Sequence, residues 1–503
     1  MKTLGTLYHR VGLGAGLLLA VGSALAGPEH ESTLTKAFLV TAGGRLVLQA
    51  NQGSCQINPI ETDKVEIRVL RKVKGGTKAE ADELFTNHQV TFQQESSTVS
   101  VTAINKKNLS LNWRPNRPSL EVRYEISLPA KFDVDLKTSG GDIRIGELAG
   151  KVSAHTSGGA IDLKYATGSV AAFDSGGDIL IGGTDGEILA RTSSGAIKVQ
   201  KVQGKADISN SGGDILIGDA GQMVVARTSS GAIRLKSVKG NVEASNSGGD
   251  IQAETVGGEM TASTSSGSIS IGQLKGESAR LSNSGGAISL GSAEGSVVAK
   301  TSSGAIKLNN VGGSVDASNS GGDILVGQAG GDLSAETSSG AIKIRTAKGA
   351  VSAKNSGGDI RIEEAGAQVN ARTSSGSIAI KVARGRAELR DSGGDIKIEQ
   401  AHAAVQANTS SGTIAVGFVA PPTEPCRLEV SGGGISVVLP KSAAVDLDAK
   451  TSGGKAESEL PVTTTVQGQS RSGVLQGKIN GGGPLLFLRA SSGNIRLRTL
   501  PDR

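Results

Sequence analysis

An isoleucine that follows a Ser-Gly corner recurs in this chain from Ile143 to Ile414 at an almost unvarying spacing. Of the fifteen intervals between successive copies, fourteen have a length of 18 and one of 19. A period of this length describes supersecondary units that bury their apolar faces only by stacking on one another, so the sequence predicts a solenoid and not a single globular core. Within the unit that begins at Ile197, small or apolar residues fall at Val199, Val202, Ala206, Ile208 and Asn210, with Gly204 at a turn. Alternation of period two on both sides of the glycine predicts two short strands per unit, with Lys198, Lys205, Asp207 and Ser209 facing water.

Alanines eleven positions after the anchor, such as Ala154, Ala226, Ala244, Ala317, Ala335 and Ala371, imply a narrow bore. Two positions further on stands Thr, Asn or Asp in nearly every unit, as at Thr192, Asn210, Thr228 and Asn246. Short polar side chains there can bond backbone groups that a corner leaves unpaired. The glycines that follow, such as Gly212 and Gly213, are read as permitting backbone angles closed to other residues. A second period of 36 overlies the first, because corners alternate between N/D-S-G-G-D-I and T-S-S-G-A-I. Asp142, Asp178, Asp214, Asp250, Asp323, Asp359 and Asp395 mark one kind, and basic residues such as Arg191, Lys198, Arg234, Lys307 and Lys343 flank the other. If the shorter period is the rung, acidic and basic corners alternate and attract. If the longer one is, aspartates would stack about 4.8 Å apart, costing roughly 1 kcal/mol per pair even in water. The expected fold class is all-β, a parallel β-helix or β-solenoid with the period of 18 as its rung, although uniform Asn and Thr ladders would fit 36.

The flanks lack the regular period. Residues 1–26 carry Lys2 and Arg10, an apolar run from Val11 to Val21 and small residues at Ala24 and Ala26, the pattern of a secretory signal peptide. The run is shorter than the roughly 20 residues a membrane span requires, and no later segment could supply one. The mature chain is therefore expected outside the cytoplasm, in the periplasm, at the cell surface or in the extracellular medium. Loss of Lys2 and Arg10 takes the formal charge from +6 to +4, nearly balanced for so charged a chain, which argues against a nucleic-acid partner.

Residues 27–135 are expected to form a β-rich N-terminal cap, with strand patterns at 38–40, 45–48, 65–69, 90–92, 99–104 and 120–128 and a short helix over 78–85. Most of the aromatics that remain after cleavage, Trp113 among them, lie here or in the first two rungs. The regular array occupies 136–419. After Pro421, Pro422 and Pro425, residues 420–503 read as an irregular C-terminal solenoid or capping module. Cys55 and Cys426 lie on opposite sides of an array about 70 Å long at strand spacing, so they are expected as two unpaired thiols or an intermolecular link.

The passage Tyr124 to Ile145, YEISLPAKFDVDLKTSGGDIRI, resembles the lead-in to the repeats of the bacterial putative-adhesin family, β-solenoid domains of otherwise unknown function. The closing stretch INGGGPLLFLRASSGNIRL is similar to the way such domains end. The resemblance implies an extracytoplasmic β-helical fold and brings no active-site residues with it.

The function expected from these features is that of a structural or adhesin-like surface protein, making weak multivalent contacts with a cell-envelope or surface polymer or protein. From Asp174 to Gly417 there is no aromatic, proline or cysteine. A contact surface must then be polar and weak per site, or lie in the aromatic-bearing N-terminal region. The alternative is a polysaccharide-cleaving or polysaccharide-binding β-helix. Cleavage needs clustered carboxylates or a basic group in a cleft made by long insertions, which the units lack. His155 and His402 are read as separate, solvated surface residues. Calcium rolls need G-G-x-G-x-D, whereas here GGD runs straight into isoleucine, and single aspartates on alternate rungs fall short of the six to eight oxygens calcium takes. An ice-binding face would need outward threonine pairs, and these threonines turn into corners. No catalytic, cofactor or metal-ligating residue is assigned, no cofactor is expected, and the ligand-binding residues are unknown.

Overall fold

The computed structural model describes residues 29–106, 118–464 and 472–500; the expected signal peptide and Trp113 lie outside the described residues. The shorter period is the rung, about 18 residues long. Ile306 pairs in parallel with Ile324, and Ile324 with Ile342. Each rung gives one strand to each of two sheets. One, the isoleucine sheet, is built of strands such as Ile197–Val202; the other, the alanine sheet, of strands such as Ala206–Asn210. About 17 turns stack along the column, in sequence order except at its two ends. The alternation read from the sequence is what each strand displays: Val199, Val202, Ala206, Ile208 and Asn210 are buried while Lys198 and Lys205 are exposed. The inward residues form one continuous hydrophobic column from end to end. Each buried Ile or Val contributes roughly 1.5–3 kcal/mol relative to exposure, and that is the main term holding rung to rung.

The single longer interval falls in one turn. Met260 pairs with Ala279 and Ile269 with Ile288, but Ala279 pairs with Val297, so the regular spacing returns at once. The extra residue lies between Leu274 and Ala279, outside the paired segments, and neither sheet loses its inward face.

The corners correct two expectations. Gly212 and Gly213 do not adopt left-handed backbone angles; among the described glycines only Gly43, Gly53, Gly75, Gly76, Gly481 and Gly482 have positive φ. The second corner glycine is required by close approach. A Cβ on Gly322 would stand 2.8 Å from the Gly304 carbonyl carbon and closer still to its oxygen, and the same glycine-on-glycine contact repeats up the column. The aspartates, in turn, are not chiefly paired with basic neighbours. Each of the seven accepts a backbone N–H from the next rung, as Asp214 Oδ1 does from Ala232 at 2.8 Å and Asp323 Oδ1 from Ala341 at 2.8 Å. Only Asp214 also meets a base on the adjacent rung, Arg234 at 2.7 Å. A short carboxylate reaches the corner amide directly, whereas a long basic side chain would have to give up hydration and rotamer freedom for an exposed pair worth little.

Inside the corner, the Thr/Asn position does what its chemistry suggested. Asn319 Nδ2 donates to the Gly304 carbonyl at 2.7 Å, while its Oδ1 accepts from the Gly321 and Gly322 amides at 3.2 and 3.1 Å. On alternate rungs a threonine makes the same link, Thr337 Oγ1 donating to Gly322 O at 3.0 Å. These side chains are buried and form a polar ladder along the corner.

Both ends depart from sequence order in the same way. The first rung, strands Gly44–Ala50 and Ser54–Ile60, lies second from the end, covered by Thr98–Asn105 and Ser119–Pro129. The last rung, Leu485–Ala490 and Ile495–Thr499, likewise inserts between its predecessors, inside Val445–Thr451 and Ala456–Ser458. At the N-terminal end, antiparallel strands Glu29–Leu39, Lys64–Lys74 and His88–Glu95 close the sheets. The helix Lys78–Asn87 bridges them, starting with a Thr77–Glu80 capping box. It has no basic residue in its last turn; buried Arg71 supplies that charge, donating to the Phe85 and His88 carbonyls at 3.0 and 3.4 Å.

Candidate functional site

Among the described residues, every aromatic side chain is buried or half-buried. Tyr124, Phe132 and Phe418 are fully enclosed and plug the column toward its two ends, and Phe38 and Phe92 pack against the core. In the N-terminal region Phe38, Phe85 and Phe92 are half-buried, so no described aromatic there is fully presented to solvent. Cys55 and Cys426 are free and buried, and burial pushes the Cys55 thiol up to about 12, far from a reactive thiolate. His155 departs from its reading as a solvated residue: it is half-buried, stacked on Phe173 with ring centroids 4.6 Å apart, and burial lowers its pKa. His402 is exposed.

Besides a cavity of about 600 Å3 in the N-terminal cap that includes Arg71, Lys72 and Arg123, the outer surface of the two sheets offers places for recognition. The isoleucine sheet carries shallow grooves; one of about 430 Å3 includes Lys307, Leu325, Lys343 and Arg345 together with the carboxylates of Glu363 and Glu399, and a second of about 830 Å3 includes Lys198, Leu216, Gly218 and Arg234. The grooves arise where glycine stands two positions after an outward leucine, so that a rung lacks one outer side chain. A Cβ at Gly327 would fall against the Asn309 carbonyl of the preceding rung, although the equivalent positions of the adjacent rungs carry Asn309 and Arg345. Across the strands, Lys307 faces Leu325 and Leu325 faces Lys343. Lys198 faces Leu216 and Leu216 faces Arg234 in the same manner. This leucine-glycine signal was in the sequence, but without the rung register nothing said which residues of different repeats share a face. Among the described residues no three His, Cys, Asp or Glu side chains gather as a metal would require, and no helix is long and apolar enough to cross a membrane.

The sequence profile of the Toastrack family of unknown function, DUF4097, matches residues 45–261, 236–364 and 331–498. The chain belongs to this family. The three overlapping matches run from the displaced first rung to the inserted last one, so the Toastrack assignment covers the array and all of the ends but the strand Glu29–Leu39 and the last residues. No curated protein matches the sequence. Solved structures similar to this Toastrack chain include a putative cell adhesion protein from Clostridium sporogenes (9% identity, 93% of this chain and 100% of that one, TM-score 0.15). A putative adhesin from Bacteroides fragilis is 15% identical over 57% of this chain and 97% of that one, with a TM-score of 0.18. A putative lipid binding protein from Parabacteroides distasonis is 13% identical over 73% and 94%, with a TM-score of 0.17. These superpositions are too slight to bear on function.

Proposed function

We propose that the protein is an extracytoplasmic, non-enzymatic contact protein, a stiff rod whose polar outer faces make weak, repeated contacts with a cell-envelope or surface polymer or protein. The observation that carries this reading is the regularity of the column: one continuous core and two long outer faces on which similar side chains recur rung after rung. Such a surface gains strength by repetition of weak contacts, not from a single pocket. The signal-like pattern of residues 1–26 supports export. The division into that segment, an N-terminal cap over 27–135, the array over 136–419 and a C-terminal cap over 420–503 belongs to the same proposal.

The test is a binding screen of the chain from Gly27 against whole cells, purified envelope polysaccharides and host matrix proteins, with polymer length followed in the same wells. Saturable binding without shortening is the expected result. Polymer shortening would overturn the non-enzymatic reading. Fusing residues 1–26 to a reporter active only outside the cytoplasm tests export, and a silent reporter would count against it.

A further inference from the structure

The outer face of the isoleucine sheet repeats one arrangement at two places. A half-buried leucine, Leu325 or Leu216, forms a groove floor beside a glycine, Gly327 or Gly218, and is flanked on the rungs before and after by cations. At strand spacing those flanking charges stand about 9.6 Å apart along the column axis. Around Leu325 the cations are uncommitted: among the described residues Lys307, Lys343 and Arg345 have no hydrogen-bond or ion-pair partner, whereas nearby Arg361 and Lys397 are paired with Asp359 and Glu399. A surface lysine is ordinarily just a solvated charge, but here the bias is confined to one face. The six isoleucine-sheet strands from Ile306–Val311 to Ile396–Ala401 carry six basic and three acidic residues. The six alanine-sheet strands of the same rungs, from Val315–Asn319 to Val405–Thr409, carry three of each.

We propose that this groove binds a linear acidic polysaccharide lying along the column axis. Carboxylates of the chain meet Lys307, Lys343 and Arg345, and the apolar face of a sugar ring lies on Leu325. The proposal deepens the contact-surface reading above and rests on it. The occupant is chosen by charge spacing. Duplex DNA carries a charge about every 1.7 Å of axis, which cations this sparse would scarcely neutralise. Single strands bind on exposed aromatic platforms, and no described aromatic is exposed. A polymer with one carboxylate per sugar or two matches sparse, regularly placed cations, and the leucine floor suits the carbon-hydrogen face of a ring.

Polygalacturonate is the probe, measured by titration calorimetry on the chain from Gly27, with neutral dextran and duplex DNA in parallel. The groove variant is Lys307→Ser/Lys343→Ser/Arg345→Ser; serine already stands at the position equivalent to Lys307 in three rungs, as Ser270, Ser289 and Ser436. The control, Lys354→Ser/Arg372→Ser, removes two cations from the opposite face. Expected are saturable, salt-sensitive binding of polygalacturonate, a loss of at least about tenfold in the groove variant, and little change in the control, with circular dichroism alike in all three. Absence of polygalacturonate binding, equal losses in the two variants, or equal binding of dextran or DNA would each overturn the proposal. Cell binding that survives the groove substitutions would overturn it while leaving the contact-surface reading intact. Polygalacturonate binding in a protein that binds no cell or envelope polymer would instead overturn that wider reading.

Discussion

At Gly322 the corner leaves no room for one methyl group, while one residue earlier Gly321 would place a Cβ 3.4 Å from the Ser302 carbonyl oxygen, an ordinary contact. Gly322→Ala should therefore force the backbones of adjacent rungs apart and cost more than about 2 kcal/mol, whereas Gly321→Ala should cost less than about 1 kcal/mol. Thermal unfolding with amide exchange of the flanking rungs distinguishes them, and equal effects would refute the close-approach account. Ile306→Asp places a charge in a dry column and should lower the unfolding temperature sharply; Lys307→Asp, on the same strand but exposed, should shift stability by well under about 1 kcal/mol. Inward and outward positions were legible because a period of two fixes the face of each residue. The roles of glycine and aspartate were not, because both depend on an atom of the neighbouring rung. Gly322 needs its neighbour's carbonyl, and Asp323 needs the Ala341 amide; neither partner is visible until the register is known.

Among the elements, the N-terminal cap should be the pH-sensitive one. Burial and the neighbouring Arg71 guanidinium push the His88 imidazole down to about 4. Its folded value lies below the ordinary value near 6.5, so the stability it contributes is complete above that value and lost as pH falls through about 4. The full effect is roughly 3 kcal/mol. Melting of the cap followed by exchange of the helix Lys78–Asn87 should weaken across this window, and His88→Gln should flatten the dependence. The corner aspartates behave separately. The Ala232 amide, then Arg234, holds the Asp214 carboxyl below its ordinary range, so that contribution persists above that range and fails only on stronger acidification. The helix and most strands of the cap were readable from alternation and composition, but the strand Ser54–Ile60 was not, and neither was their order. Nothing local tells Gly44–Ala50 that it will lie inside Thr98–Asn105, since pairing partners far apart in sequence are chosen by the shape of the column end. The same swap at the other end makes a prediction: deletion of residues 464–503 removes the inserted rung and should expose the core beside Val445–Thr451, read as aggregation or dye binding of exposed apolar surface.

On the scale of the whole molecule, about 17 turns at a strand spacing of about 4.8 Å make a column of roughly 80 Å whose units touch only their neighbours. Stability should be nearly local and contact strength cumulative. The alternation of two corner types allows this to be tested without disturbing a junction, because T-S-S-G precedes both Ile233 and Ile269, and both Ile306 and Ile342. Removing residues 233–268, residues 306–341, or both shortens the rod by two or four rungs and keeps every corner type in place. The decisive measurement is the affinity of these shortened chains, beside the chain from Gly27, for whole cells and envelope polysaccharide. A steep fall in affinity with each pair of rungs removed, at nearly constant unfolding temperature, is the expected result. Affinity independent of rod length would place recognition at one fixed locus and contradict the repeated-contact function.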